Sequence, residues 1–181
     1  MRIITGTAKG RQLILLDDET RPLSDRAKSA IFSILQERIP GSSVLDLYAG
    51  SGALGIECIS RGAIEAVFCD ISSSAIESIN INLKKCEFTE QASVIQMDAG
   101  RYVQNHQNEK FDIVFVCPPY REVKFHTIKE AGNLVKDTGI LIFEHNKKDK
   151  FRNIPGLTKI DSRTYGIVQF DLYIPQTESS I

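Results

Sequence analysis

Residues 44–55 combine a short apolar strand, a turn rich in glycine and the start of a helix. Gly50, Gly52 and Gly55 match the spacing G-x-G-x-x-G, in which a tight turn lets a cofactor approach a helix N-terminus. A strand that runs into such a turn and helix is one unit of a parallel sheet, because parallel strands need a long crossover connection. The segment therefore predicts an α/β fold with a cofactor loop at the end of a strand.

Strand-like and helix-like segments alternate along the chain, which is typical of a doubly wound sheet. Strands are predicted at residues 43–47, 66–69, 93–96, 113–116 and 140–143, and two more, at 157–161 and 168–174, are joined closely enough to be antiparallel. Four helices are expected between these strands. The first lies near residues 52–60, and the second begins at a capping box formed by Ser74 and Glu77. A short polar helix follows residue 96, and the last lies near residues 126–135 and ends at 136–139.

An N-terminal appendage is expected in front of this sheet. Residues 2–5 and 12–16 flank a turn between Gly6 and Gly10 and predict a β-hairpin. Ser24 is predicted to cap a helix, whose buried face follows at helical spacing: Ala27, Ala30, Ile31, Ile34 and Leu35. We expect one domain, residues 1–181, with residues 1–38 as the appendage and residues 39–181 as a Rossmann-like core. That core should be a seven-stranded, mostly parallel sheet whose last strand is antiparallel.

Composition narrows the classes of protein to which the chain can belong. The chain has 181 residues, 42% of them hydrophobic and 25% charged, as expected for one globular domain with a full core. It has no apolar run near the roughly 20 residues that span a bilayer and no apolar leader at its start, so a cytoplasmic protein is expected. The cysteines are too widely spaced to predict a metal site or disulfides: Cys58, Cys69, Cys86 and Cys117. The net charge of −1 neither favours nor excludes nucleic acid.

Three acidic residues lie at or just after the ends of predicted strands and indicate the cofactor. Asp46 lies just before the glycine turn, where a carboxylate would repel phosphates but suits a cofactor with a cationic amino-acid end. Asp70 can accept hydrogen bonds from a ribose, and Asp98 can accept one from an adenine amine, although either could instead cap a helix. S-adenosylmethionine (SAM) fits this pattern. The predicted cofactor-binding residues are Asp46, Ala49, Gly50, Ser51, Gly52, Asp70, Asp98 and Ala99.

A second motif, Cys117, Pro118, Pro119 and Tyr120, follows the strand predicted at 113–116 and supplies the predicted catalytic residues. Two prolines cannot continue a central strand, and they stiffen the backbone where it leaves the sheet. The Pro118 carbonyl is then held towards the pocket, and the Tyr120 ring can stack on an unpaired base. A cofactor loop next to such a clamp predicts methylation of an amino group on a nucleobase.

These motifs, together with RIITGTAKGR at residues 2–11, RPLSDR at 21–26 and RTYG at 163–166, resemble the small single-domain bacterial 16S ribosomal RNA guanine-N2 methyltransferases. The resemblance covers nearly the whole chain, and the segment at 21–26 is its most specific part. It implies a Rossmann-like SAM-dependent methyltransferase fold. It also implies SAM as cofactor and the N2 amine of one guanine in the small subunit's rRNA as target.

Cys117 departs from that family's pattern, in which Asp or Asn precedes the two prolines. A thiol sulfur is a much weaker acceptor for the target amine than a carboxylate or amide oxygen. Losing one charge-assisted hydrogen bond costs about 1.5–3 kcal/mol, or roughly 10–150-fold in rate. An oxygen restored at position 117 is therefore expected to maintain or raise the rate.

Basic residues form two groups, one in the appendage and one at Lys147, Lys148, Lys150 and Arg152. Lys and Arg side chains there would neutralise RNA phosphates, although a solvated charged surface is the simpler explanation for any single one. The predicted RNA-binding residues are Arg2, Lys9, Arg11, Arg21, Arg26, Arg163 and Tyr165. The expected partner is 16S rRNA, within the small subunit or an assembly intermediate, bound by a monomer without a metal.

Two other functions remain open at this point. A SAM- and RNA-binding protein with impaired catalysis would result if Cys117 cannot replace the usual acceptor. An NAD-dependent oxidoreductase would also use the glycine loop, but it gives no reason for the two prolines and the tyrosine.

Overall fold

The structure is a computed structural model that describes residues 1–16, 24–119, 124–149, 151 and 153–176. Its centre is a seven-stranded sheet in the order β3-β2-β1-β4-β5-β7-β6. The strands are β1 (Ser43–Leu47), β2 (Glu65–Asp70), β3 (Ala92–Gln96), β4 (Phe111–Val116), β5 (Val135–Asn146), β6 (Leu157–Tyr165) and β7 (Val168–Pro175). Only β7 runs antiparallel to its neighbours, which confirms the predicted Rossmann-like sheet with an antiparallel last strand.

Five helices within the described residues cover the two faces of the sheet. They are α1 (Asp25–Ile34), α2 (Ala53–Ser60), α3 (Ser73–Cys86), α4 (Ala99–Asn105) and α5 (Phe125–Gly132), with a 3₁₀ turn at Thr89–Gln91. One apolar cluster lies under α1, α2, α3 and the N-terminal segment, and the second lies under α4 and α5. The face of the sheet that carries the first cluster is called here the appendage face, and the face that carries the second is called the opposite face. The end of the sheet at which the parallel strands finish is called here the carboxyl edge.

Several predicted boundaries were wrong. Ser72 rather than Ser74 caps α3, because its hydroxyl accepts a hydrogen bond from Ala75 N–H. Helix α5 ends at Gly132, and β5 begins at Val135, so residues 136–139 belong to a strand instead of a helix end. The Ser24 cap was correct, since its hydroxyl accepts from Ala27 N–H.

The expected N-terminal hairpin is present in a short form. An antiparallel bridge joins Arg2 to Gln12, and the arms exchange backbone hydrogen bonds, from Ile3 N–H to the Arg11 carbonyl and from Leu13 N–H to the Met1 carbonyl, each 3.0 Å long. Both arms also hydrogen-bond to side chains of the helices. Asn82 of α3 accepts from Ile14 N–H at 2.8 Å and donates to the Ile14 carbonyl at 2.8 Å. Strand-like composition thus produced a short hairpin, in which helix side chains satisfy the backbone groups that the opposite arm does not.

Candidate active site

The glycine turn between β1 and α2 has an unusual backbone. Tyr48 has φ 63°, Gly50 has φ 54° and Gly52 has φ 74°. A bulky residue such as tyrosine rarely adopts a positive φ, and such strain concentrates at functional sites. Gly55 serves packing, because a Cβ there would lie 2.4 Å from Cε1 of Phe68 on β2. The loop is therefore shaped by the local backbone and by close helix–strand contact, as the motif predicts.

The three predicted acids lie at the carboxyl edge on three neighbouring strands. Asp46 lies within β1, Asp70 ends β2, and Asp98 follows β3 as the N-cap of α4. Asp70 accepts from Gly50 N–H at 2.8 Å and from Ser72 N–H at 2.9 Å, so it ties the glycine turn to the start of α3. Asp98 accepts from Arg101 N–H at 3.0 Å. Asp98 thus has the capping role considered from the sequence, whereas Asp70 supports the glycine turn and the N-cap residue Ser72.

Asp46 is the only one of these three acids that is fully buried, with 1% of its surface exposed. Its carboxylate accepts from Gly55 N–H at 3.0 Å, which fixes the first turn of α2 against β1. Burial, and secondarily the charge of Asp70, raises the pKa of Asp46 to about 7 although the Gly55 hydrogen bond opposes the shift. A cation bound nearby would stabilise the ionised form.

Cys117, Pro118 and Pro119 are the described part of the motif that we call the proline clamp, and they lie beside the glycine loop. Cys117 N–H points to the carbonyl of Leu47 at the end of β1, 3.4 Å away, so the two motifs leave the sheet side by side. Pro118 is buried and Pro119 is exposed. Tyr120 lies outside the described residues.

Glu144 is the residue that sequence reasoning missed at this site. The Cys117 thiol hydrogen-bonds to the Glu144 carboxylate, and the backbone N–H of Glu144 donates to the sulfur. Burial raises the pKa of Cys117 well above its usual value, and the charges of Glu144 and Asp46 raise it further. The thiol is therefore neutral. Glu144 follows Phe143, the partner of Val116 in the β4–β5 register, so only the sheet topology reveals the pair.

The predicted RNA-binding residues fall in two places. Arg2 and Arg26 lie near the carboxyl edge, where Arg2 Nε is 3.8 Å from the carboxylate of Asp25 at the start of α1. Lys9 is exposed in the turn beside the end of α2, and Arg11 hydrogen-bonds to the Lys85 carbonyl and to Glu87 at the end of α3. Because α2 and α3 run back from the carboxyl edge, Lys9 and Arg11 lie at the opposite end of the sheet.

The other predicted RNA-binding residues and the second basic group also lie in different places. Tyr165 ends β6 at the carboxyl edge and packs partly against the appendage-face cluster, with its ring centroid 6.4 Å from that of Phe170. Arg163 pairs with Asp161 at 2.9 Å. Arg21, Lys150 and Arg152 lie outside the described residues, while Lys147 and Lys148 are exposed after β5.

Lys28 is a basic residue of the appendage, but it is fully buried. Its ammonium lies 3.2 Å from the Glu57 carboxylate of α2 and donates to the Arg2 carbonyl at 2.6 Å. Glu57 also accepts from Ile4 N–H at 2.8 Å and Thr5 N–H at 3.0 Å. This pair attaches the appendage to the helix of the cofactor loop. Sequence alone gave no sign of it, since a lone Lys and a lone Glu resemble surface residues.

A second buried network lies on the opposite face. Asp171 receives hydrogen bonds from five side chains that surround it, His145, Lys159, Ser162, Gln169 and Tyr173. Burial works against ionisation, yet these hydrogen bonds hold the pKa of Asp171 well below its usual range. His145 is 1% exposed and faces away from Cys117, because it alternates with Glu144 along β5. The network joins β5, β6 and β7 and is structural.

The donor set at the loop fits SAM. Carboxylates lie at or near the ends of three adjacent strands, and residues 46–52 contain no lysine or arginine that would hold a pyrophosphate. Among the described residues no cluster of His, Cys, Asp and Glu could hold a metal ion. None of the described helices is both long and apolar enough to cross a membrane.

This sheet order, with an acid-rich glycine loop beside a proline clamp, defines a SAM-dependent methyltransferase of the Rossmann-like class. The model of the family described as "Conserved hypothetical protein 95" matches residues 1–174. The chain belongs to that family.

Named relatives agree with this class. The chain is 35% identical to the "Ribosomal RNA small subunit methyltransferase D" of Haemophilus influenzae, over 96% of this chain and 93% of the relative. It is 34% identical to the "Putative rRNA methyltransferase YlbH" of Bacillus subtilis, over 96% of this chain and 98% of the relative. The solved "Putative methyltransferase yhhF from Escherichia coli" superposes with a TM-score of 0.86 at 28% identity, covering 97% of this chain and 98% of that one. These names give no support to an oxidoreductase.

Proposed function

We propose that this protein transfers the methyl group of SAM to the N2 amine of a guanine in 16S rRNA of the small ribosomal subunit. The observation that carries the proposal is the contact between Cys117 N–H and the Leu47 carbonyl, which sets the proline clamp against the cofactor loop. The named relatives support rRNA as the substrate class. The reaction would then take place in the cytoplasm, where small subunits are assembled.

The cofactor site of this proposal comprises the loop and the acids around it. Asp70 would bind the ribose and Asp98 the adenine amine, with the buried Asp46 below the loop favouring a cationic amino-acid end. Bound SAM supplies an electrophilic methyl group on a sulfonium. Ala49, Gly50, Ser51, Gly52 and Ala99 would contact it through the backbone.

The target base would lie on the appendage face at the carboxyl edge. There the Pro118 carbonyl can accept from the amine and Tyr120 can stack on the base. Arg2, Arg26, Arg163 and Tyr165 would hold the RNA around it, with Arg21 in the adjoining segment, while Lys9 and Arg11 could contact only RNA that extends to the opposite edge. We propose that one copy of the chain, residues 1–181 with 1–38 as the RNA-contacting part, is sufficient.

The decisive experiment maps methylated guanines in 16S rRNA from cells that lack this gene. We expect one N2-methylguanine to disappear, and the purified protein with radiolabelled SAM to restore it on small subunits from those cells. Assays on naked rRNA and on assembled subunits identify the preferred form of the substrate. An unchanged methylation pattern, or SAM binding without methyl transfer, would refute the proposal.

A further inference from the structure

The clamp contains a carboxylate that the sequence motif does not. Cys117 and Glu144 each follow the last residues that pair between β4 and β5, Val116 and Phe143. The two strands are parallel neighbours, so Cys117 and Glu144 lie next to each other at the carboxyl edge. The thiol and the carboxylate are hydrogen-bonded to each other.

Both residues face the side of the sheet on which the target base is proposed to lie. Ile113 and Phe115 belong to the appendage-face cluster, and Cys117 continues their alternation on β4 and packs against that cluster. On β5, Ile140 and Ile142 also belong to the appendage-face cluster, and Glu144 is the next residue on the same side of that strand.

The neighbours of Glu144 on its other side are aromatic. Glu144 pairs in register with Phe170 of β7, and the ring of Phe170 lies beside Tyr165. Glu144 is half-buried, so its carboxylate is sheltered without being closed off. Asp46 shares this face but is almost fully buried and is held by Gly55, so of these two carboxylates Glu144 is the more accessible to a base.

We propose that Glu144 is a catalytic residue whose carboxylate accepts a hydrogen bond from the target amine, the task that the Cys117 thiol performs poorly. This inference rests on the proposed function and adds one residue to its site. Thiol sulfur is a weak acceptor, whereas a carboxylate offers two oxygens with about four lone-pair sites. One oxygen can therefore remain with Cys117 while the other accepts from the amine.

The chemistry of the transfer gives this carboxylate two tasks. The amine nitrogen forms a bond to the methyl carbon while the bond from that carbon to sulfur breaks and its electrons stay on sulfur. The nitrogen then carries a positive charge and must lose a proton. Glu144 favours the attacking geometry by accepting from the N–H before transfer, and it takes the proton afterwards before passing it to solvent.

Single-turnover methyl transfer at saturating SAM tests the proposal. Glu144→Ala should lower the rate roughly 10–100-fold, as expected for a lost charge-assisted hydrogen bond. Adding Cys117→Asn to that variant should recover most of the loss, because the amide places an oxygen where the thiol lies. Glu65→Ala, an exposed glutamate at the opposite edge, is the matched control and should leave the rate unchanged.

A binding measurement without turnover isolates the amine contact. The target guanosine in an rRNA fragment is replaced by inosine, which lacks the N2 amine, and affinity is measured with the demethylated cofactor present. The wild-type protein should prefer guanosine several-fold, and Glu144→Ala should bind both RNAs alike. A structural role of Glu144 would weaken both RNAs equally.

A wild-type rate in Glu144→Ala, or a loss that Cys117→Asn does not recover, would overturn the proposal. If Glu144→Ala does not fold, Glu144→Met, which keeps the length of the side chain and removes both oxygens, decides with the same rescue, and a wild-type rate in Glu144→Met would overturn the proposal too. A wild-type protein that transfers no methyl group would overturn the proposed function and this inference with it. An active wild-type protein with an unaffected Glu144 variant would overturn this inference alone, so the two failures can be told apart.

Discussion

Asp46 is a residue whose position costs stability. Its pKa of about 7 lies above the ordinary 3.8, so the folded state holds a proton that the unfolded chain releases between these values. The free energy of unfolding therefore falls as pH rises through this window and does not recover above it. A carboxylate buried at such a cost is typical of a functional site rather than a structural one.

Asp46→Asn should consequently raise the unfolding free energy at pH 8 by an amount on the order of 3–4 kcal/mol, with no gain at pH 4. The same variant should weaken SAM binding, because the cation loses a charge beneath the loop. Thermal melting at both pH values and calorimetry with SAM measure the two effects.

Asp112→Asn provides the opposite control. Burial works against ionisation there too, but hydrogen bonds from Lys136 and Ser43 lower the pKa of Asp112, so its charge stabilises the folded protein. Its substitution should cost stability at pH 8. A loss of stability in Asp46→Asn as well would contradict the account of Asp46 as a strained carboxylate.

Cys117 is surrounded differently from what the sequence alone led us to expect. Asp at position 117 would place a third carboxylate beside Glu144 and Asp46, whose charges already disfavour the thiolate. We now expect Cys117→Asp to transfer methyl groups more slowly than Cys117→Asn, which adds an oxygen without a charge. Single-turnover rates of the two variants with SAM affinity as a control measure this difference, and a faster Cys117→Asp would contradict it.

At the scale of elements, α2 connects the cofactor loop to the appendage. Its Glu57 binds Lys28 of α1, Arg61 of its own last turn and the backbone at residues 4 and 5. Breaking a buried ion pair by removing one partner leaves the other charge buried and uncompensated.

Lys28→Met should therefore lower the unfolding free energy by about 3 kcal/mol, the low end of the usual cost because Arg61 remains beside Glu57. Lys84→Ala, on the exposed side of α3, should change it by less than about 0.5 kcal/mol. Urea denaturation of both variants provides the comparison, and equal midpoints would show that the pair adds nothing.

The same scale shows what sequence patterns can predict. Strands β1 and β4 were correct within two residues because buried parallel strands are continuous apolar runs that end at glycine or proline. The α5–β5 boundary was wrong because Val135 and Gly139 of β5 resemble the end of a helix and its following glycine. Glu144 and Glu57 were missed because their partners, Cys117 and Lys28, are distant in sequence and meet only through sheet register and helix packing.

For the whole molecule, the placement of basic residues gives a test of how RNA is bound. Arg26→Ala, near the carboxyl edge, should weaken binding of small-subunit RNA and lower the slope of its salt dependence by about one. Lys9→Ala, at the opposite edge, should have a smaller effect. SAM affinity should be unchanged in both. Filter binding over a range of salt concentrations measures the slopes, and an equal loss in both variants would indicate RNA wrapped around the whole protein.

The position of β7 also affects how the protein is made. Strand β7 follows β6 in the chain but lies between β5 and β6 in the sheet. Until β7 has left the ribosome, β5 presents an unpaired edge and β6 has no neighbour to pair with, although the cofactor loop is already complete. During translation the nascent chain therefore passes through a state with an open, aggregation-prone edge. Slow translation of the final hairpin would prolong that state, so synthesis rate as well as sequence governs how much soluble enzyme a cell obtains.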